Sequence, residues 1–424
     1  VSSLQAASDL LMSMGLRITG GRHRIGYFQV ALNELPDDFH TTAATLSKIN
    51  ELQKNEDIEF AEPAEIGFTD FLPENEKSLP DFESALGGNR QWNLQMIELD
   101  AAHQLTRGSQ DVTFLAVDSG IRDQHPDLAD ALRPDWNALD LNFDTDVPEA
   151  ELSPLEMHIA HGTKVASVMA GRGSGESRVK GVAPGCWLLP VKISGTPFGQ
   201  SYGLRAAAIR EATDYIDARK RGVLNISWST SGEHIGVREA LIYASEKGLA
   251  ITTSAGNYRL GEAQQPDRLH YPSKYALLPG ESDAEVHARR KIRGLASVAA
   301  LNRLKRKATY SYYGAASVTV SAPGGETGLM GDGVFVASTP DNYAYEAGTS
   351  FAAPHVAGLL ALLFSIRPQL TADEALTIVT STAVDLDELN PGYSGMLGAG
   401  LINARAALES LNESHGQGVT TAER

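Results

Sequence analysis

Short apolar runs recur through most of the chain: Val112 to Val117, Trp187 to Ile193, Val223 to Ile226, Leu249 to Thr253 and Ala296 to Ala300, with longer stretches of helical spacing between them. Runs of this kind predict strands buried on both faces, and strands separated by helices predict a parallel sheet covered on both sides. The class is α/β. Side chains that do chemistry in such sheets gather just beyond the carboxyl ends of the strands. Nearer the start, Ile25, Tyr27 and Gln29 alternate with Gly26, Phe28 and Val30, which predicts a strand. Ala43, Leu46, Ile49 and Leu52 then recur at helical spacing after Thr41 and Thr42. Ile58 and Phe60 alternate with Asp57 and Glu59 in a second predicted strand, which Pro63 stops. Between this strand, helix, strand unit and the sheet, a stretch around 66 to 92 holds Pro73, Pro80, Gly87 and Gly88 among acidic residues and reads as a linker. From Asn412 onward apolar residues almost vanish, which predicts a mobile tail. The expected divisions are 1–66, a linker at 67–90, a main domain at 91–411 and a tail at 412–424.

Composition narrows the function classes. The 424 residues are 42% hydrophobic and 21% charged, ordinary values for a chain with a sizeable core. With 36 basic and 53 acidic side chains the formal charge is −17, which repels phosphate backbones, so nucleic acid is not an expected partner. The longest apolar stretch, Val356 to Phe364, falls short of the roughly 20 residues of a membrane helix, so no membrane is expected either. Cys186 is the single cysteine, so an internal disulfide is excluded. No basic residue stands beside it between Val182 and Pro190, which predicts a buried structural thiol. The chain begins at Val1 without a basic start and long apolar run, so no targeting segment is expected within it.

Four segments place reactive residue types at element ends. A buried strand runs into Asp118, with Gly120 allowing the turn, and a carboxylate buried there must be paired. His161, in His161-Gly162-Thr163, is expected to open a helix. The strand from Ile251 ends in the small-residue turn Ser254-Ala255-Gly256-Asn257. Ser350 heads a helix in which Pro354 is tolerated only near the first turn. Taken singly, each has an ordinary structural reading as a turn former, a cap or a structural histidine. Taken together, the order Asp, His, Ser with a separate Asn matches one of the chain orders in which an imidazole held by a carboxylate activates a serine.

On these residues the chain resembles the subtilisin-like serine peptidases, the subtilases. Asp118-Ser119-Gly120 with His125-Pro126-Asp127-Leu128, His161-Gly162-Thr163, Gly181-Val182-Ala183-Pro184, Ser254 to Asn257 and Gly348 to Gly358 are similar to its signatures, in order, over about Gln91 to Leu411. The resemblance implies a three-layer subtilisin-like fold with a mainly parallel sheet. It implies covalent acyl transfer, with Ser350 as nucleophile, His161 as base and then acid, and Asp118 orienting the imidazole. The Asn257 amide and the Ser350 backbone N–H would hold the oxyanion. Polypeptide substrate would lie as an added strand, with Ser227, Trp228 and Ser229 on one side and the segment 197–200, including Gly199, on the other. Ser254, Ala255 and Gly256 would also bind the substrate, and His270 would stand at the floor of the first specificity pocket. The chemistry would need no cofactor. Asp127 matches a carboxylate that many relatives use for a structural calcium, whereas the loop Arg172 to Lys180 carries three cations and lacks the usual asparagine.

The first 66 residues resemble the family's propeptide, similar from Glu56 to Pro63. The resemblance implies a small α+β domain that acts on its own enzyme as chaperone and inhibitor, a proenzyme with a processing site in the linker, and export to a secreted or periplasmic location, with an intracellular site left open. Some residues depart from the pattern. Ser229 and His270 stand where glycines are usual, which predicts a P1 preference unlike a large-apolar one. Lys164 replaces a second histidine and is expected to lower the pKa of His161. The charged stretch 279–294 is expected to be an exposed insertion. Two other accounts remain: a dedicated processing protease or transpeptidase, and a noncatalytic binding protein on a protease fold.

Overall fold

The computed structural model describes residues 4–14, 16–22, 27–32, 43–55, 58, 61, 66–67, 90–134, 155–174, 178–193, 200–216, 221–230, 232–258, 263–278, 281–282, 284, 288, 291–327, 332–338 and 342–416. The elements before the sheet are α1 (Leu4–Ser13), β1 (Leu16–Arg22), β2 (Tyr27–Leu32), α2 (Ala43–Leu52), β3 (Ile66–Gly67), α3 (Trp92–Met96) and α4 (Leu99–Ala102). There follow β4 (Val112–Asp118), α5 (Leu155–Ala170), β5 (Trp187–Lys192), β6 (Gln200–Ser201), α6 (Tyr202–Asp214), β7 (Arg221–Ile226), α7 (Ile235–Glu246), β8 (Ala250–Ser254), β9 (Leu295–Leu301) and β10 (Val320–Pro323). The chain ends with the hairpin β11 (Val334–Ser338) and β12 (Asn342–Glu346), then α8 (Thr349–Ile366), α9 (Ala372–Ser381) and α10 (Ala404–Gly416).

Six strands form one sheet in the order β10-β9-β8-β7-β4-β5, and every pairing in it is parallel. Alternate residues of β4 enter two different cores: Phe114 and Ala116 pack with α5 and α8, Leu115 and Val117 with α6 and α7. Two buried faces are the physical reason for the unbroken apolar runs. After β4 the order reverses, since β5 lies on one side of it and β7 to β10 on the other. That reversal opens a crevice at the carboxyl ends of β4 and β7, where Asp118 and Ser227 emerge.

Helix α8 is buried almost all round, with 89% of its residues inside the fold. Among the described residues it is the one helix long and apolar enough to cross a membrane, yet it packs on α5, β4, β7, β8, β9 and β10. It is the central core helix of one layer.

The first part of the chain differs from the predicted strand, helix, strand. Helix α2 forms as expected, and the predicted first strand appears as β2. But β2 pairs antiparallel with β1, and α1 precedes both. Strand β1, LRITGGR, lacks alternation and carries two glycines, so its extended form comes from pairing with β2, with a register shift between Ile18 and Gly20. Ile58 lies outside any strand and packs on Leu11, Leu16 and Leu52, while 59–60 lie outside the described residues. Both β1 and β2 rest on α6, and β3 pairs antiparallel with β6. Most of the linker, including 68–89, and the tail from 417 lie outside the described residues; 412–416 close α10 in place of the expected mobile tail. Of the stretch 279–294 only parts are described. There Ile292 is buried and Lys291 pairs with Glu281 at 3.4 Å, so its end belongs to the fold rather than to an exposed loop.

Candidate active site

Asp118 closes β4 and is buried. Its Oδ1 accepts the Ser119 N–H at 2.7 Å and the His161 Nδ1 at 2.8 Å, while Oδ2 has no hydrogen-bond partner among the described residues. A carboxylate only accepts, so Nδ1 carries the imidazole proton and Nε2 is the basic nitrogen. His161 does not open its helix as expected. Helix α5 begins at Leu155, and His161 sits on its second turn. The turns that precede it carry no signature in the sequence. Gly162 explains the approach to Asp118: a Cβ there would lie 2.1 Å from the Gly120 carbonyl oxygen, so only glycine lets α5 settle on that turn. The Gly162 N–H donates to Ser119 Oγ at 3.1 Å.

Burial is the largest influence on His161 and lowers its pKa, but the Asp118 charge and hydrogen bond together raise it further, and the net direction is upward. Lys164 acts downward on His161 as expected, but its ammonium pairs at 2.6 Å with Glu346, which acts upward, and Asp118 outweighs it, so the net direction is upward.

Ser350 is buried as the second residue of α8. Its Oγ donates to the Ser227 carbonyl at 3.1 Å, and Ser227 Oγ donates back to the Ser350 carbonyl at 2.9 Å. The second bond follows from Pro354. Proline has no N–H to give to the carbonyl four residues earlier, which is that of Ser350, and the Ser227 hydroxyl takes its place. Phe351 brings its ring to 6.0 Å from the imidazole, so the start of α8 borders His161.

Asn257 follows β8 and is fixed from the same helix start. Its Oδ1 accepts the Thr349 N–H at 3.1 Å and the Thr349 hydroxyl at 2.8 Å. With the oxygen committed, the amide Nδ2 is the donor turned toward Gly348. Trp228 is buried and donates Nε1–H to the Val117 carbonyl at 3.0 Å, which ties Ser227 to Ser229 to the strand that carries Asp118. The Arg205 guanidinium stacks on the other side of the wall, 4.5 Å from the Trp228 ring. Ser254, Ala255 and Gly256 are buried, and Gly256 has φ +107, with the Tyr312 ring where a Cβ would stand. His270 is half-buried and held in place: Nδ1 lies 3.2 Å from Ser229 Oγ and Nε2 3.2 Å from the Tyr312 hydroxyl. The two departures from the family pattern thus touch each other. Gly199 lies outside the described residues.

Asp127 is fully buried, and its surroundings do not fit calcium. One carboxylate oxygen accepts from the Arg178 guanidinium and the other from the Val179 N–H at 2.8 Å, while a further Arg178 nitrogen donates to the Pro126 carbonyl. Calcium takes six to eight oxygen ligands. Here donors already occupy both oxygens, and among the described residues no group of three or more His, Cys, Asp or Glu could hold a metal. Arg178 stands in the loop whose cations argued against the ion. Cys186 is buried as expected, and burial pushes its thiol up to about 11.

Sequence reasoning missed Glu346, Thr349 and Tyr312. Thr349 could have been found, since it adjoins Ser350 in a recognised segment. The other two reach the site through tertiary packing alone.

The sequence model of the subtilase family matches residues 110–416. Among known proteins, the chain is 30% identical to fervidolysin of Fervidobacterium pennivorans over 340 residues, 76% of this chain and 44% of that protein, so it spans less than half of that relative's length. It is 26% identical to subtilisin E of Bacillus subtilis (strain 168) over 374 residues, 87% of this chain and 81% of that one. The solved structure of a protease from Pseudoalteromonas arctica superposes with a TM-score of 0.59 at 25% identity, covering 76% of this chain and 97% of that one. With the sheet, the Asp118–His161 contact and these likenesses in agreement, the chain belongs to the subtilase family of serine endopeptidases.

Proposed function

We propose that this chain hydrolyses peptide bonds through an acyl-enzyme at Ser350, and the observation that carries the reading is the 2.8 Å bond from His161 to Asp118 beside the start of α8. The Ser350 hydroxyl rests on the Ser227 carbonyl and turns about its side chain to give its proton to His161 Nε2. Its oxygen then bonds to the scissile carbonyl carbon, and the electron pair displaced from the C=O settles on oxygen. The Asn257 Nδ2–H and the Ser350 backbone N–H at the helix start meet that charge, and Asp118 stabilises the imidazolium. His161 returns the proton to the leaving amine, and water repeats the sequence to free the acid. Labelling by a fluorophosphonate probe, lost in Ser350→Ala, tests the assignment. Retained labelling in that variant would sink it.

The substrate class is polypeptide, held by backbone pairing. The Ser229, His270 and Tyr312 contacts support a short, polar-ended P1 pocket. A P1 library in which Phe and Leu are disfavoured is the expected outcome, and their dominance would refute the pocket reading.

The first 66 residues act in this reading as an intramolecular inhibitor and folding aid. Two observations support it: the β1–β2 hairpin rests on α6, and Ile66–Gly67 pairs antiparallel with Gln200–Ser201, the segment expected to border the cleft. A chain segment on that edge occupies the place of a substrate strand. In this reading 1–66 is the inhibitor, 67–90 the linker that holds the processing site, and the catalytic domain starts at 91 and runs through α10 to 416, and kinship supports export. Incubation of the full chain, with Ser350→Ala as control and N-terminal sequencing as readout, should give a new terminus within 67–90 in the active protein alone.

A further inference from the structure

Helix α5 offers a second polar side chain beside the site. Lys164 follows His161 by one helical turn, its side chain is only 7% exposed, and it reaches Glu346 at 2.6 Å. Glu346 is the last residue of β12 and precedes Ser350 by four positions. The bond therefore joins the helix that holds the imidazole to the strand that delivers the serine turn. The hairpin partner of β12, β11, packs on α5, so the two elements meet along a shared surface.

Stability alone does not explain such a pair, because the cost of desolvating two ions offsets most of their attraction, and apolar side chains of similar volume would pack as well. What sets this pair apart is its position. The charged groups facing His161 are Asp118 from β4, Lys164 from α5 and Glu346 from β12, while α8 presents the uncharged Phe351 ring. Lys164 and Glu346 act on the imidazole with opposite sign. A lone cation there would oppose the imidazolium that must form in the transition state. A lone carboxylate would hold the proton and delay the base to higher pH.

We propose that Lys164 and Glu346 are paired positioning residues for the reaction: their ion pair clamps the serine-bearing turn to the His161 helix and keeps the local charge neutral, so that the imidazole answers to Asp118. The inference rests on the reading of His161 as the base.

The test measures the His161 titration directly, by NMR of the imidazole in the full chain carrying Ser350→Ala, so that no turnover is needed. Glu346→Gln should lower the His161 midpoint and Lys164→Met should raise it, each by about 1 pH unit. The double variant, which leaves no lone charge buried, should return close to the parent midpoint. With Ser350 restored, the acid limb of kcat/KM should move in the same directions. The charge-exchanged pair Lys164→Glu with Glu346→Lys should recover more kcat/KM than either single change. Shifts of both single variants in one direction, no shift, or strictly additive activity losses would overturn the proposal. If a single variant fails to fold, the double and exchanged variants decide by the same midpoint and recovery. A wild-type chain that neither takes the fluorophosphonate nor cleaves peptides would sink the function reading instead, while the NMR midpoints would still report on the pair.

Discussion

Two histidines lie in the same layer and are both buried, His161 at 8% exposure and His355 at 0%, yet their surroundings shift their pKa values in opposite directions. For His355, burial is the dominant influence and lowers its pKa to about 4, because its neighbours are neutral: Nδ1 donates to the Phe351 carbonyl at 2.8 Å and Nε2 accepts from Asn93 at 2.8 Å. For His161 burial is again the largest single influence, but a carboxylate stands where His355 has an amide and a carbonyl, and the net direction is upward. Burial alone makes an inert histidine. In the proposed reading of His161 as the base, the charge of the partner makes the difference, and that charge comes from the end of β4.

The most severe test is to make the first histidine resemble the second. Asp118→Asn keeps the shape and removes the charge, and kcat should fall by roughly 10⁴ as the imidazole loses its tautomer and partner. Stopped-flow turnover of a peptide ester checks it, and a loss under tenfold would break the comparison. The two asparagines extend the contrast. If the Asn257 amide meets the oxyanion as proposed, Asn257→Ala should lower kcat by about 10²–10³, the loss known for such a donor in this family, with KM little changed.

A smaller effect is read in pH. His355 has its pKa lowered on folding, so the unfolded chain takes up that proton first. Its contribution is present above about pH 6.5 and is lost as pH falls toward 4, in total about 3 kcal/mol. His161 has a raised pKa, so its contribution is present below the unfolded value of 6.5 and lost as pH rises through the folded one. Urea unfolding of Ser350→Ala between pH 4 and 7 should show the acid slope, and His355→Gln should flatten it. The smallest effect belongs to Asn93→Ala. It leaves His355 Nε2 without its donor and should cost about 1–2 kcal/mol of stability, while kcat per labelled active site stays unchanged.

Much of the main domain was legible because its forces are local or periodic. A strand buried on both faces must read as an apolar run, and β4, β5, β7, β8 and β9 lie within a residue or two of those runs. Asp118, His161, Asn257 and Ser350 stood out through long segments in a fixed order. β1 was not legible, because its glycine-rich segment is extended only by pairing with β2. The Asp127 site was legible in part. The residue type suits calcium and the cations of the loop 172–180 argued against it, but only the fold shows that the Arg178 guanidinium takes the carboxylate. Lys164 shows the limit of such a reading, since its downward action on His161 was legible but the Glu346 that pairs with it and the net upward direction were not.

The order of residues by itself determined the class of fold, which runs would become buried strands and the chemical types set at the strand ends, because hydrophobic periodicity and turn chemistry act between near neighbours. Only the tertiary structure decided which charges meet. Glu346 against Lys164 and Arg178 against Asp127 join distant parts of the chain. In a buried, low-dielectric setting a partner a few ångströms away outweighs anything a residue carries in its own type.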